Sequence, residues 1–116
     1  MSYKSLMITR NLVKHLIRIS NRHRNVLKWH SNETQPHILM KLEICKYLKK
    51  NRLEFYSEAI FEKSNLRADI VVADRELIIE VFDSESKESM DKKRATYPLP
   101  IVFVKADQEF SEKLIL

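Results

Sequence analysis

Apolar positions along the chain recur at two periods, and the change from one to the other divides it. Between residues 5 and 21, Ile8, Leu12, Leu16 and Ile19 fall on one helical face. Arg10, Lys14 and Arg18 recur at four-residue steps on another, the pattern of an amphipathic basic helix. Residues 22–35, RHRNVLKWHSNETQ, keep no period and read as a connection. Thr34 ahead of Pro36 then offers a capped start, and Ile38, Leu42, Cys45 and Leu48 carry a second helix to Asn51.

Beyond Asn51 the period shortens to two. LEFYSEAIFE alternates and is rich in aromatics, which predicts a strand; ADIVVA and ELIIEVF, joined by DR, predict a hairpin. Their apolar runs are dense enough for a sheet covered on at least one face. SESKESMDKKRATY returns to helical spacing at Met90, Arg94 and Tyr97, with Ser84 or Ser86 as its cap and Pro98 and Pro100 closing it. IVFVKA predicts a fourth strand and QEFSEKLIL a last helical turn or two. The order α, α, β, β, β, α, β predicts an α/β domain: a central mixed sheet of about four strands flanked by helices, plus a basic N-terminal helix. Residues 1–32 read as a basic helical arm and 33–116 as the α/β unit.

Composition refines this picture. At 116 residues, 44% hydrophobic and 32% charged, one domain with a modest core is expected. The single cysteine, Cys45, excludes an intramolecular disulfide and reads as a small buried hydrophobe. No run of 18 apolar residues and no apolar signal core occurs, so the expectation is a cytoplasmic protein with no membrane contact, in the host cytoplasm if the chain is viral. There is no glycine, so positions with positive φ are expected at Asn or Asp, with Asn51 and Asn65 the foremost candidates. That same absence rules out a glycine-rich phosphate loop.

Charge is unevenly spread. Lys4, Arg10, Lys14, Arg18, Arg22, Arg24 and Lys28 stand in the first 32 residues without one Asp or Glu, while the remainder holds 14 basic against 16 acidic side chains. The net charge of +5 therefore belongs to the arm, which would attract a polyanion. Arg10, Lys14, Arg18, Arg22, Arg24 and Lys28 are the candidate nucleic-acid contacts.

The chemistry-bearing positions lie in the hairpin. Asp69 interrupts one apolar run and Glu80 the next, and a lone carboxylate among Ile and Val is costly unless something satisfies it. Strand alternation puts Arg67, Asp69 and Val71 on one face of the second strand, and Ile78, Glu80, Phe82 and Ser84 on one face of the third. In a hairpin the two acids can lie side by side. Their repulsion is relieved by a shared proton or by a divalent cation, with Mg²⁺ (or Mn²⁺) suited to oxygen ligands. The alternative is a pair of edge carboxylates, solvated or bridged to Arg67 and a helix lysine. His15, His23, His30 and His37 recur at seven or eight residues, but with one cysteine and an intervening loop they do not converge on a zinc site. Trp29 reads as a core or hinge anchor.

Helix, FYSEA, RADIVV, LIIEV, helix and PIVFV, taken together, resemble the core of the PD-(D/E)XK nuclease superfamily, the restriction-endonuclease-like fold, and most of all its small archaeal and viral members. The resemblance covers about residues 33–106. It implies that Asp69 and Glu80 chelate Mg²⁺ and that a lysine two residues beyond the second acid serves the attacking water. Phe82 stands at that position.

Two readings of Phe82 follow. Either a lysine elsewhere supplies the charge, with Lys41 and Lys87 the candidates, or the site has lapsed into a catalytically inactive module binding DNA or a protein partner. Glu43 falls where relatives carry a further metal-binding acid. His37 and Lys41, four apart, match an H…K pair near phosphate or metal; Glu58 in YSEA could face the same cleft. Lys93 and Tyr97 resemble a Gln and Tyr helix motif of some relatives, with Lys replacing Gln. The function expected is a metal-dependent endonuclease acting on DNA, with a homodimer implied if it cuts both strands.

Overall fold

The computed structural model describes residues 2–115. Helix α1 spans Tyr3–Lys14, α2 Gln35–Lys50 and α3 Lys87–Thr96; strands β1 (Phe55–Ile60), β2 (Arg67–Val72), β3 (Leu77–Phe82) and β4 (Ile101–Lys105) form one sheet in that order. The first three strands run antiparallel in succession and β4 lies parallel to β3. A parallel neighbour requires a crossover, which α3 supplies. This is the α/β class, with a mixed four-stranded sheet flanked by helices, that the periodicities predict. Among the described residues no helix is long and apolar enough to cross a membrane.

Local chemistry sets the helix ends. The Thr34 hydroxyl accepts from the His37 N–H at the start of α2, with Pro36 in its first turn, and Ser86 rather than Ser84 caps α3 through the Ser89 N–H. At the end of α2 the Asn51 side chain donates to the Tyr47 carbonyl (2.8 Å), but its own φ is −94°. The left-handed residue is Arg52, one position on. Asn65 does take the left-handed conformation expected of it, as do Asn25, Glu58 and Glu76. Without glycine, tertiary contacts impose positive φ on side chains that resist it.

Helix α1 is shorter than its pattern. Ile8, Leu12 and Ile19, expected to face the core, are exposed, whereas Val13 and Ile17 are buried. The cause lies at the end of β1. The Arg18 N–H donates to the Ile60 carbonyl (2.8 Å) and the Glu62 N–H to the Leu16 carbonyl (2.9 Å), drawing Leu16–Arg18 out of the helix and bridging Ile17 to Phe61. Pairing with a strand edge outweighs helical continuation, and it rotates which apolar residues the helix buries.

The sheet carries a core layer on each face. Met40, Ile44, Cys45 and Leu48 of α2 pack on Phe55, Ile70, Val72, Ile79 and Val81; Val13 and Ile17 pack with Tyr56, Ala59, Val71 and Ile78. Burial pushes the Cys45 thiol up to about 12. Helix α1 is further pinned by Arg10, whose guanidinium donates to both oxygens of Asp74 (2.7 and 2.9 Å), a carboxylate that also accepts the Glu54 N–H.

Arg10 is therefore a structural cation. Arg10→Ala leaves Asp74 half-satisfied and should lower stability by about 1.5–3 kcal/mol in urea unfolding, while Lys14→Ala stays within about 0.5 kcal/mol of the parent.

Candidate functional site

Two positions break strand alternation, and they face each other. Tyr56 and Ala59, three residues apart, join the same core layer, as do Ala68 and Val71. In β1 the surplus step is at Glu58, whose φ is 48°. β1 and β2 pair through Ser57↔Ile70 and Ala59↔Ala68, which brings Glu58 opposite Asp69. Asp69 consequently does not share a face with Val71, as strict alternation would have it. The β2–β3 ladder runs from Val72↔Leu77 to Ile70↔Ile79 and stops there. Beyond it the strands open and side chains take over the bonding. The Asp69 N–H donates to Glu80 Oε2 (2.9 Å), and the Val81 N–H donates to Asp69 Oδ2 (2.8 Å).

The two acids therefore meet inside the sheet. Burial, then the Asp69 charge, push the Glu80 carboxyl up to about 8. For Asp69 burial acts in the same sense but is outweighed by His37, by the proton on Glu80 and by the Val81 N–H, which hold its carboxyl below the usual range. The two environments push the pair apart, Glu80 toward its protonated form and Asp69 toward its ionised one. His37 stands over Asp69 with Nε2 3.3 Å from Oδ2, and its Nδ1 is 3.7 Å from Asp83. Burial would lower this imidazole's pKa, but the Asp69 carboxylate more than offsets it and the net shift is upward.

One turn along α2 lies Lys41, fully buried. Its Nζ donates to the Lys28 carbonyl (2.8 Å) and to Glu33 Oε1 (3.0 Å), and stands 3.7 Å from Glu58 Oε1. Glu33 Oε1 is 3.3 Å from His30 Nε2, and Oε2 is 4.0 Å from His37 Nε2. Burial, joined by the nearby Glu33 carboxylate, pushes the Glu58 carboxyl up to about 7, against the pull of the Lys41 charge. Within Glu33, burial is outweighed by Glu58 and Lys41, and its carboxyl falls below the usual range.

On the other side of the acid pair, Phe82 lies against Phe103, with ring centroids 6.4 Å apart, and the Arg94 guanidinium covers Phe103 at 4.7 Å. The lysine that reaches Glu80 is Lys93, 3.9 Å from Oε1 and 3.0 Å from Glu85. Tyr97, four residues on, donates its hydroxyl hydrogen to the Arg67 carbonyl (2.9 Å).

Asp69, Glu80, His37, Lys41 and Glu58 are thus brought into one connected group, while Lys87 and Glu43 are not. Lys87 is exposed at the start of α3. Glu43 projects from another flank of α2, 3.8 Å from Lys46, beside a cleft with Gln108 and Phe110. Sequence reasoning missed Glu33 and undervalued Lys93. Glu33, His37 and Lys41 recur at four residues, but Glu33 precedes the helix cap and was hidden in an aperiodic stretch. Among the arm cations, Arg10 is bound to Asp74, Arg24 is 3.7 Å from Glu54, Arg18 donates to Asn65 and Arg22 to the Ile17 carbonyl. The Lys28 N–H donates to the Ser57 hydroxyl and its ammonium lies 3.2 Å from His23 Nδ1. Arg10, Lys14, Arg22 and Arg24 line one cleft of about 350 Å³ with Asn11, Glu54 and Tyr56. The arm charges are partly answered within the molecule, and of the others Lys14 and Arg22 share this cleft.

Because the Glu80 and Glu58 carboxyls titrate higher in the folded chain than in the unfolded one, the folded state binds more protons between about pH 4.5 and 8. Stability should fall as pH rises through that window, by at most ~1.4 kcal/mol per unit per group. Glu80→Gln should flatten the decline, as read from urea midpoints across the pH range.

A family model described as competence protein CoiA, nuclease-like domain, matches residues 33–98, which include Glu33, His37, Lys41, Glu58, Asp69, Glu80 and Lys93. No curated protein and no solved structure matches the chain.

Proposed function

The chain belongs to the family of the competence protein CoiA nuclease-like domain, and on that footing we propose that it is a divalent-metal-dependent endonuclease that hydrolyses phosphodiester bonds in DNA. One observation carries the proposal. Asp69 and Glu80 set their carboxyl groups in an opened strand pair, each accepting a backbone N–H from the other's strand, and their mutual repulsion there is what a cation would relieve. The donors fit such an ion: Asp69 and Glu80 offer oxygens, and Asp69, Glu33 and His37 bring ligand atoms within 4.8 Å of one another. A Mg²⁺ or Mn²⁺ held by Asp69 and Glu80 would supply Lewis-acid polarisation of a phosphoryl oxygen and a bound water of lowered pKa.

The chain's own side chains would do the rest. Asp69, its carboxyl held below the usual range, and Glu80 in its ionised form would be the oxygen ligands of the ion. Lys93 faces Glu80 from α3 and stands in for the lysine that Phe82 displaces, offering positive charge to a developing oxyanion. Phe82 and Phe103, under Arg94, form an apolar wall that limits water at that side. Lys41 acts by position: enclosed by Glu33 and the Lys28 carbonyl, it fixes the anions behind the pair. Lys14, Arg18 and Arg22 would hold the phosphate backbone without reading bases. Cutting both strands would call for a homodimer.

Phe82 favours a second reading, a nuclease-fold module that binds DNA or a protein without cleaving. Incubation with supercoiled, branched and single-stranded DNA in Mg²⁺ and in Mn²⁺ separates the two. Cleavage should be abolished by Asp69→Asn. It should fall about 10²–10³-fold in Lys93→Ala and persist in Lys87→Ala. A wild type inert with every divalent ion would leave the binding module standing, and Phe82→Lys would then test whether activity can be restored.

Binding has its own readout. Replacing Lys14, Arg18 and Arg22 together should weaken duplex binding for all sequences alike and flatten its log–log salt dependence by up to ~0.9 for each phosphate the arm no longer neutralises. An unchanged slope would assign the arm to another partner.

A further inference from the structure

Beside the Asp69–Glu80 pair the molecule holds another set of ligand atoms. His30, Glu33 and Glu58 each bring one within 4.8 Å of the others, with His30 Nε2 3.3 Å from Glu33 Oε1 and 3.7 Å from Glu58 Oε1. Clustered acids are common on solvated surfaces, but Glu58 is not solvated. It is 9% exposed, and both its carboxyl oxygens are buried without a hydrogen-bond partner. The neighbouring cations stop short of it: Lys41 Nζ is 3.7 Å away and Arg67 Nε 3.8 Å. Lys41 directs its donors at Glu33 and the Lys28 carbonyl instead.

Leaving such a carboxyl unsatisfied is unfavourable, and the left-handed backbone of Glu58, mid-strand, adds to the strain. That backbone turn is what aims the side chain at His30 and Glu33 rather than along the ordinary face of β1.

We propose that His30, Glu33 and Glu58 form a cation site of their own, selective for a borderline transition-metal ion of the Zn²⁺ class over Mg²⁺. The selectivity follows from the donors. Mg²⁺ prefers oxygen and retains its waters, whereas an imidazole nitrogen with two carboxylates suits Zn²⁺ or Co²⁺. Three protein ligands leave a position open to water, and His30, half-exposed, gives the ion a way in. Glu33 turns its second oxygen toward His37, so it stands between this site and the acid pair. The site does not depend on DNA cleavage, since it consists of the chain's own ligands.

Co²⁺ titration of the full chain without DNA tests it, with Co²⁺ as the optical probe. The wild type should develop visible ligand-field absorption that saturates, that Zn²⁺ abolishes by displacement, and that a large excess of Mg²⁺ leaves in place. His30→Ala and Glu58→Gln, checked for folding by circular dichroism, should each weaken binding by at least the ~10-fold that even outer-sphere partners contribute. Glu80→Gln should keep the absorption. In the wild type, Zn²⁺ should shift the His30 ring protons in NMR spectra and leave those of His15 and His23 unmoved, a readout that needs no variant. Absence of a Co²⁺ or Zn²⁺ response at His30, or a site lost in Glu80→Gln and indifferent to His30→Ala and Glu58→Gln, would overturn the proposal. A Co²⁺ site in a chain that cleaves nothing would count against the nuclease reading alone.

Discussion

A single ammonium group with no access to water organises this side of the molecule. Lys41 is wholly enclosed, and a buried charge survives only if its surroundings are built to receive it. Its receivers come from three parts of the chain: the Lys28 carbonyl, the Glu33 carboxylate just ahead of α2 and, at longer range, Glu58 in β1. To satisfy Lys41, the connection over residues 22–35 must lie back across the end of β1, where the Lys28 N–H also meets the Ser57 hydroxyl. The stretch without hydrophobic periodicity is therefore ordered by polar contacts. It brings His30 and Glu33 to the sheet, and α2, carrying Lys41, brings His37.

The same economy of bonds governs the sheet. Where β2 and β3 part, backbone N–H groups would be left without acceptors, and the Asp69 and Glu80 carboxyls take that role. The two acids thus serve the fold and the site at once, which explains how carboxyl groups so deeply set are tolerated. Each is half-occupied by the backbone and half-available. Glu58, opposite Asp69, meets the same opening by turning its backbone instead. Neighbouring strands resolve one irregularity by different means, and both Asp69 and Glu58 come to the α2 side, near His37 and Lys41.

Periodicity made the α/β order legible, because α2 buries a regular face and the strands carry dense apolar runs, while α3, which buries no residue, is marked by its Ser86 cap. It failed where a residue's surroundings come from elsewhere in the chain. Ile8 and Leu12 carry a helical spacing that the fold leaves exposed, since Leu16–Arg18 are captured by the end of β1. Asp69 and Glu80 stood out because acids inside apolar runs require a reason. Glu33 did not, because nothing before a helix cap announces that its carboxylate will meet a lysine two turns further on. Lys93 carried the right helical spacing, yet only the parallel docking of β4, which returns the chain beside β3 by way of α3, directs it at Glu80 rather than solvent. Glu43 and Lys87 show the converse, spacing that suits a role the tertiary structure does not bring into play.

Cys45 lends the same helix a chemical handle. With its thiol buried against the sheet and its ionisation suppressed, it is a poor nucleophile in the closed molecule. Alkylation or oxidation must wait for α2 to lift, the motion that would also withdraw His37 and Lys41 from the acids. The reactivity of one sulfur atom, a helical turn from Lys41, thereby reports the breathing of the helix that holds them.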